Sequence, residues 1–210
     1  MTIPPILGLL FGAYLLGSIP FGLLVIRALT GRDIRHEGSG NIGAVNVYRV
    51  AGPTVAGVVL ALDLLKGVVP VIVTRAVAAG GPGTDTVAVL VGIAAIAGHN
   101  WSLILRGQGG KGIATSYGAL LAFSPVAGAV AAVVWVVIAL LTRYASLASL
   151  LGVLSIPIVM LTRHEPVPHL FFGIVTLVFG IWRHRSNIHR LVRGQERRLG
   201  APEEQGATGA

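Results

Sequence analysis

The sequence contains no cysteine and little charge of either sign. Without cysteine the chain has no disulfide, no thiolate metal ligand and no thiol nucleophile. Charged residues make up 11% of its 210 residues, whereas a soluble domain usually carries about 25%. Aspartate occurs only at positions 33, 63 and 85, so a multi-carboxylate metal site is hard to assemble. No histidine is followed by an aspartate five residues on, which excludes the H-x4-D pair of soluble-type acyltransferases.

Apolar residues make up 54% of the chain and form long runs. A membrane-spanning helix needs about 20 such residues. The candidate spans cover residues 3–29, 53–79, 86–105, 113–141, 146–161 and 168–182. The first run lacks a basic segment before it, so we interpret it as a retained span rather than a signal peptide. The sequence therefore predicts an all-α, polytopic membrane helix bundle.

Arginine and lysine give the chain a net charge of +8 and cluster in 30–52, 106–112 and the tail from 183. The positive-inside rule predicts that these segments face the cytoplasm, with the N-terminus outside. Six spans would leave the arginine-rich tail outside. Ser124-Pro125 is expected to split the 113–141 run, because proline disfavours helix in the residue before it. We therefore predict about seven spans, and the alternative is five, with 142–167 looping back. Residues 1–199 are expected to form one domain, and 200–210 a disordered cytoplasmic tail.

The first polar segment, "GSGNIGAVNVYR" at 38–49, offers groups suited to a phosphate. Gly38 and Gly40 let the backbone approach a ligand closely. The amides of Asn41 and Asn46 and the hydroxyl of Ser39 supply neutral donors. Arg49, at the end of the segment, adds a forked cation that matches phosphate geometry. The alternative is a Gly/Asn loop that only turns the chain.

The second polar segment, "GQGGKG" at 107–112, follows Arg106 and precedes an apolar run. Glycines before a helix leave N–H groups pointing at one spot, where the helix dipole favours an anion. Gly109, Gly110 and Gly112 are therefore candidate phosphate ligands, and Lys111 adds a point charge. Glycine after that lysine, and no strand before it, argue against a nucleotide-binding P-loop. The alternative is a flexible loop with a snorkelling lysine.

The third polar segment, "RHRSNIHRLVRGQE" at 183–196, directly follows the last apolar run. His184 and Asn187 share one helical face. His184 is a candidate proton acceptor or phosphate ligand, and Arg185 a further cation. The alternative is a basic helix that only anchors the topology.

Two smaller features complete the set of candidates. Asp63 and Lys66 stand three residues apart inside a span, a spacing that favours a structural salt bridge over catalysis. Ser146 and Ser149 open another span, where they either face the site or cap the helix. Together with the three segments, these groups suit a dianionic, phosphorylated ligand at the bilayer surface. A transporter of phosphorylated compounds is the alternative, although such proteins usually bind between repeated halves, and we find no repeat.

The segments "GSGNIGAVNVYR", "LDLLKG", "GHNWSLILRGQGGKGIATSYG", "SLAS" and "RHRSNIHRLVRGQE" occur in the order and combination typical of one family. From about residue 13 to 196 the chain resembles the bacterial acyl-phosphate:glycerol-3-phosphate acyltransferases, the PlsY family. The resemblance implies transfer of a fatty acyl group from acyl phosphate to the sn-1 hydroxyl of glycerol 3-phosphate. The products would be lysophosphatidic acid and phosphate, in the first step of phospholipid synthesis. It also implies an integral protein of the bacterial inner membrane, with its active site at the cytoplasmic face.

The resemblance also assigns roles to residues. Catalytic positions match Ser39, Arg49, Lys111, His184 and Asn187. The glycines around Lys111 match a phosphate-holding loop, Ser149 a serine at the substrate phosphate, and Glu196 an acid thought to serve structure. The family often has lysine where this chain has Gln108, and Arg106 is the residue expected to compensate. No cofactor, metal, nucleic acid or obligatory protein partner is expected. The base that removes the hydroxyl proton is either His184 or a phosphate oxygen of the substrate.

Overall fold

The structure is a computed structural model that describes residues 3–78 and 81–201, and in those ranges it contains helices but no strands. The α-helices are α1 Ile3–Ser18, α2 Phe21–Thr30, α3 Ala44–Ala78, α4 Thr84–Asn100, α5 Ile113–Phe123, α6 Pro125–Thr142, α7 Ala145–Thr162, α8 Val167–Arg183 and α9 Arg185–Val192. The all-α membrane bundle predicted from the apolar runs is confirmed. Of the tail predicted to be disordered, residues 202–210 lie outside the described residues.

Helix length limits which elements can cross a bilayer alone. Within the described ranges, four helical segments are long and apolar enough: 3–30, α3, α6 and α7. Helices α8 and α9, bent by 63° at their junction, make a fifth if taken together. Helix α4 has 17 residues and α5 has 11. The count of about seven spans and the orientation of the termini therefore stay predictions.

Proline explains two of the helix breaks in the bundle. Helix α5 ends at Phe123 and α6 begins at Pro125, which confirms the break predicted there. A second break divides the first apolar run, since α1 ends at Ser18 and α2 begins after Pro20. The run remains one candidate span, residues 3–30, but it consists of two helices joined at this break. A proline has no backbone N–H and its ring obstructs the preceding turn. The first helix therefore ends before the proline, and a new helix begins at or just after it.

The largest departure from the predicted elements concerns α3. It begins at Ala44 rather than at residue 53, and its two parts meet at a kink at Gly52, where φ is 80° and ψ is −179°. Only glycine adopts this conformation easily, and Pro53 directly follows it. As a result Asn46 and Arg49 stand on a helix that begins inside the polar segment 30–52.

Glycines allow the central helices to approach one another closely. Helix α4 packs against α1, α3, α5 and α8. A Cβ on Gly17 would lie 2.1 Å from the carbonyl oxygen of Ala95, and one on Gly98 would lie 2.1 Å from that of Tyr14. Gly67 and Gly118 make the same kind of contact between α3 and α5. Small residues at helix crossings are the usual way that membrane bundles obtain packing energy without a hydrophobic driving force.

Candidate active site

A cavity of about 1050 Å³ opens between α3, α5, α6, α7 and the start of α9. One end is polar and the other is apolar. The polar end contains residues of all three polar segments, among them Ser39, Arg49, Lys111, His184 and Asn187. The apolar end is lined by Leu60, Leu121, Ala129, Ala132 and Val136. The fold thus brings together cations from distant parts of the sequence and joins them to a hydrophobic groove.

Most of the substrate-binding residues predicted from the sequence also line this cavity. They are Gly38, Gly40, Asn41, Asn46, Ser149 and Arg185. The three glycines at 109, 110 and 112 do not line it. Other lining residues were not predicted as site residues, notably Arg183, Trp135 and Tyr117, because only the tertiary fold brings them to the cavity.

Lys111 extends from the loop between α4 and α5 to helix α9. Its ammonium group donates a hydrogen bond of 2.5 Å to Oδ1 of Asn187. Burial lowers the pKa of Lys111 to about 8, and nearby arginines act in the same direction against the attraction of Glu196. The side chain is therefore still mostly charged at pH 7, but little of that charge is solvated. A poorly solvated cation is well suited to bind an anion entering the cavity.

Glu196 anchors the residues around Asn187. It accepts hydrogen bonds of 2.6 Å from Asn187, 2.8 Å from Ser146 and 2.8 Å from Arg190. Burial by itself would raise the pKa of Glu196, but these hydrogen bonds outweigh it and hold the pKa below the usual value. The carboxylate thus stays ionised and fixes the orientation of the Asn187 amide, which supports the structural role that the resemblance implies.

His184 lies at the junction of α8 and α9 and is 2% exposed. Its Nδ1 is 2.8 Å from the carbonyl oxygen of Gly180. A carbonyl can only accept, so Nδ1 carries the proton and Nε2 of the neutral ring has a free lone pair. Burial and the neighbouring charge of Lys111 lower the pKa of His184 to about 3. The imidazole is therefore a hydrogen-bond acceptor but a weak base.

Asn46 organises the loop before α3. Its Oδ1 accepts from the backbone N–H of Ser39 at 2.8 Å, and its Nδ2 donates to the carbonyls of Glu37 and Asn41 at 3.0 and 2.9 Å. Arg197, from the C-terminal segment, donates to the carbonyl of Gly38 at 2.8 Å. The amide of Asn46 is thus engaged with the backbone, which holds Ser39 at the cavity wall. A direct contact between Asn46 and substrate stays a prediction.

The glycine-rich loop is built differently from the expected set of bare N–H groups. The N–H of Gly110 donates to the carbonyl of His99 at 2.9 Å. Arg183 donates to the carbonyls of Gly109 and Gly110 at 2.7 and 2.8 Å. The glycines therefore pack against the protein, and Lys111 is the residue that this loop presents to the cavity. Contact of Gly109, Gly110 and Gly112 with substrate stays a prediction.

Ser149 joins α6 and α7 at the point where the polar and apolar ends of the cavity meet. Its hydroxyl donates to the carbonyl of Ala145 at 2.8 Å and accepts from Nε1 of Trp135 at 3.0 Å. Over the described part of the chain, no group of three or more His, Cys, Asp or Glu side chains is placed to hold a metal ion. The arrangement offers cations, hydrogen-bond donors and the acceptor nitrogen of His184 for a phosphorylated amphiphile.

Comparison with known proteins gives one family. A family model described as glycerol-3-phosphate acyltransferase matches residues 7–194. The glycerol-3-phosphate acyltransferase of Desulforamulus reducens is 43% identical over 192 residues, covering 91% of this chain and 94% of the relative. The protein of the same name from Myxococcus xanthus is 45% identical over 189 residues, covering 89% and 95%. The similarity therefore extends over nearly the whole of each chain.

Solved structures show the same similarity in three dimensions. PlsY (YgiH), an integral membrane glycerol 3-phosphate acyltransferase, matches in its glycerol 3-phosphate form with a TM-score of 0.87 and 40% identity. This match covers 93% of the present chain and 96% of the other. The lysophosphatidic acid form of PlsY matches with a TM-score of 0.85 and 38% identity over the same shares of the two chains. The helices described above therefore follow the course that they take in PlsY.

Proposed function

The chain belongs to the glycerol-3-phosphate acyltransferase family, and from this premise we propose that acyl phosphate is its donor and the sn-1 hydroxyl its acceptor. The protein is an integral membrane acyltransferase that acts on glycerol 3-phosphate. This reaction is a step of phospholipid biosynthesis. The products of the proposed reaction are lysophosphatidic acid and inorganic phosphate. Residues 1–199 act as one acyltransferase domain.

The cavity that joins a cationic end to an apolar groove is the observation that carries this proposal. Lys111, Arg49 and Arg183 line the polar end, and the groove between α3 and α6 is lined by aliphatic side chains. An acyl phosphate has the same two parts, a phosphate group and a hydrocarbon chain, joined at the reacting carbonyl. Placing each part in its matching environment brings that carbonyl to the boundary, near His184 and Ser149. Such positioning supplies much of the rate enhancement when two substrates must meet.

Charge stabilisation at the polar end supports the proposed catalytic set. Lys111 and Arg49 offset charge on the phosphates, since preorganised cations in a poorly solvated site stabilise a transition state strongly. Ser39 and Asn187 donate hydrogen bonds, and His184 accepts one from the attacking hydroxyl. The backbone and side chains of Gly38, Gly40, Asn41, Ser149 and Arg185 surround the two headgroups.

The phosphate group of the acyl phosphate can accept the proton of the attacking hydroxyl, so the protein need not supply a stronger base. The hydroxyl oxygen attacks the carbonyl carbon, the bond from that carbon to the phosphate oxygen breaks, and the departing phosphate takes up the hydroxyl proton. Phosphate has a second pKa near 6, whereas the pKa of His184 is lowered to about 3. The phosphate is therefore the better proton acceptor, and His184 orients the hydroxyl. Metal-free acyl transfer of this kind needs no covalent enzyme intermediate, because phosphate already is a good leaving group.

The basic segments support a location for the site. Arg49, Lys111 and Arg185 belong to the three arginine-rich segments that the positive-inside rule assigns to the cytoplasm. The polar end of the cavity therefore faces the cytoplasm of a bacterial inner membrane, where the charged glycerol 3-phosphate is soluble. No protein partner is required for this arrangement.

A donor comparison tests the proposal. The purified protein is incubated with labelled glycerol 3-phosphate and either acyl phosphate, acyl-CoA or acyl carrier protein. We expect labelled lysophosphatidic acid, with phosphate released one to one, only with acyl phosphate and only when both substrates are present. Equal product from acyl-CoA would overturn the donor assignment, and a 2-acyl product would overturn the assigned hydroxyl. Uptake of glycerol 3-phosphate into proteoliposomes without turnover would instead indicate a transporter.

A further inference from the structure

The last two residues of α4 form the surface on which the glycine-rich loop rests. A Cβ on Gly109 would lie 2.0 Å from the carbonyl oxygen of His99, and one on Gly110 would lie 2.1 Å from Nε2 of the same residue. A Cβ on Gly112 would lie 2.7 Å from Oδ1 of Asn100. Each glycine thus meets a different atom of the His99–Asn100 pair, with no space for a side chain. The path of the loop, and with it the place of Lys111, depends on where these atoms are held.

The ring of His99 is held in turn by a buried polar cluster. Its Nδ1 is 3.3 Å from the hydroxyl of Thr115 and 3.7 Å from Oδ1 of Asp63. Asp63 forms the ion pair expected from the sequence with Lys66, at 2.9 Å, and Lys66 also donates to the carbonyl of Ile19 at 3.1 Å. These four side chains, His99, Thr115, Asp63 and Lys66, are at most 3% exposed.

A buried ion pair needs an explanation other than stability. Replacing such a pair by apolar side chains of similar volume is often neutral or stabilising, because desolvation cancels the attraction. Here the pair connects three elements: Lys66 reaches the break between α1 and α2, and Asp63 faces His99 at the end of α4. The cluster therefore fixes the orientation of His99, which contacts the glycine-rich loop.

The opposite side of the loop is fixed as well. Arg183 donates to the carbonyls of both Gly109 and Gly110, and Lys111 bonds to Asn187 beyond it. The loop is thus held between α4 and α8 by close contacts on both sides. A shift of about 1 Å in a binding group can cost on the order of a hundredfold in rate, so small movements of the loop matter.

We propose that His99 is a positioning residue: fixed by Thr115 and the Asp63–Lys66 pair, it sets the glycine-rich loop so that Lys111 binds a phosphate group. This inference rests on the proposed function only in that Lys111 contacts a substrate phosphate. It does not depend on which acyl donor the enzyme uses.

Three variants test the inference, with two separate measurements. His99→Ala removes the ring, His99→Asn retains a group at the position of Nδ1, and Thr115→Val removes only the hydroxyl beside it. Steady-state kinetics give kcat and KM for glycerol 3-phosphate, and calorimetry on the detergent-purified protein gives Kd for inorganic phosphate. Thr176→Val is the matched control, since Thr176 is buried on α8 and its hydroxyl has no hydrogen-bond partner among the described residues.

We expect His99→Ala to raise both KM and the phosphate Kd about tenfold or more while kcat changes much less. Thr115→Val should raise both about fivefold, the effect of one hydrogen bond, and His99→Asn should fall between wild type and His99→Ala. Thr176→Val should leave both values unchanged. If His99→Ala does not fold, Thr115→Val decides the question.

Two results would overturn the inference. Unchanged KM and phosphate Kd in Thr115→Val, together with the same result in a folded His99→Ala, would show that the cluster does not position the loop. A large fall in kcat with unchanged phosphate Kd would show that His99 acts on the reacting atoms instead. If acyl phosphate proves not to be the donor, the phosphate Kd values still report on the positioning role of His99. Failure of the donor assignment can therefore be distinguished from failure of this inference.

Discussion

The ammonium group of Lys111 donates a hydrogen bond of 2.5 Å to Oδ1 of Asn187, a residue 76 positions further along the chain. Nδ2 of the same amide donates to Glu196 at 2.6 Å. The two partners fix which way the amide points, because a flipped amide would set its NH₂ group against a cation and its oxygen against a carboxylate. Asn187 thus ties the second polar segment to the third.

Replacing Lys111 by alanine is expected to affect substrate binding more than chemistry. The change removes a poorly solvated cation from the polar end of the cavity. Loss of a hydrogen bond to a charged group costs about 1.5–3 kcal/mol, so KM for glycerol 3-phosphate should rise roughly 10- to 100-fold, with a smaller change in kcat. Arg106 is expected from the resemblance to compensate for Gln108, but it is exposed and does not line the cavity, so Arg106→Gln is the control. Similar KM increases in both variants would contradict the role assigned to Lys111.

The pH profile of kcat/KM should fall on the basic side as Lys111 loses its proton. Its pKa is lowered to about 8, chiefly by burial, so the free enzyme loses the charge above that pH. Lys111→Arg retains the charge well above pH 8 and should abolish this fall, although binding weakens because the two side chains differ in shape. The measurement is kcat/KM from pH 6 to 10 for both proteins. A basic limb that persists unchanged in Lys111→Arg would assign it to another group.

Replacing His184 separates the two candidate bases. His184→Ala should lower kcat sharply, because the hydroxyl loses its hydrogen-bond acceptor. His184→Gln keeps an acceptor and should recover part of the rate. The pKa of His184 is lowered to about 3, so we assign the fall in kcat/KM expected below about pH 6 to protonation of the substrate phosphate. This fall should remain in His184→Gln. Loss of that limb in the variant would make His184 the base.

Much of the site could be predicted from the sequence because its chemistry is local. Ser39, Lys111 and His184 stand in short polar segments between apolar runs, and the structure brings all three to one cavity. The break before Pro125 also follows from a local rule, the effect of proline on the preceding residue.

Other features depend on tertiary contacts that no local pattern reports. Helix α3 starts at Ala44 because Asn46 binds the backbone of the preceding loop, which a count of apolar residues cannot register. The glycines at 109 and 110 suggested bare amides for a ligand, whereas they pack on His99. Trp135 carried no motif at all, and only the pairing of α6 with α7 brings it to Ser149.

Glu196→Gln should destabilise the protein in a pH-dependent way. The pKa of Glu196 is held below its usual value of 4.5 by hydrogen bonds, so its stabilising contribution is complete above that pH and is lost as pH falls below it. Glutamine cannot accept all three hydrogen bonds as an anion does. The variant should therefore unfold at a lower temperature than wild type at pH 7. The difference between the two unfolding temperatures should be smaller at pH 4. Thermal unfolding in detergent, followed by tryptophan fluorescence, measures this; a difference of the same size at both pH values would contradict it.

Enlarging a residue of the apolar groove should change the preferred acyl chain. Ala132 lines the groove, as do Leu60 and Val136, and Ala132→Phe fills part of this space. Each methylene that no longer fits costs about 0.8 kcal/mol, close to fourfold in kcat/KM, so long-chain acyl phosphates should lose more activity than short ones. The adjacent Val133 is 60% exposed and does not line the cavity, which makes Val133→Phe the matched control. The measurement is kcat/KM across a series of saturated donors. An equal loss at every chain length in Ala132→Phe, or the same shift in Val133→Phe, would mean that the acyl chain does not occupy this groove.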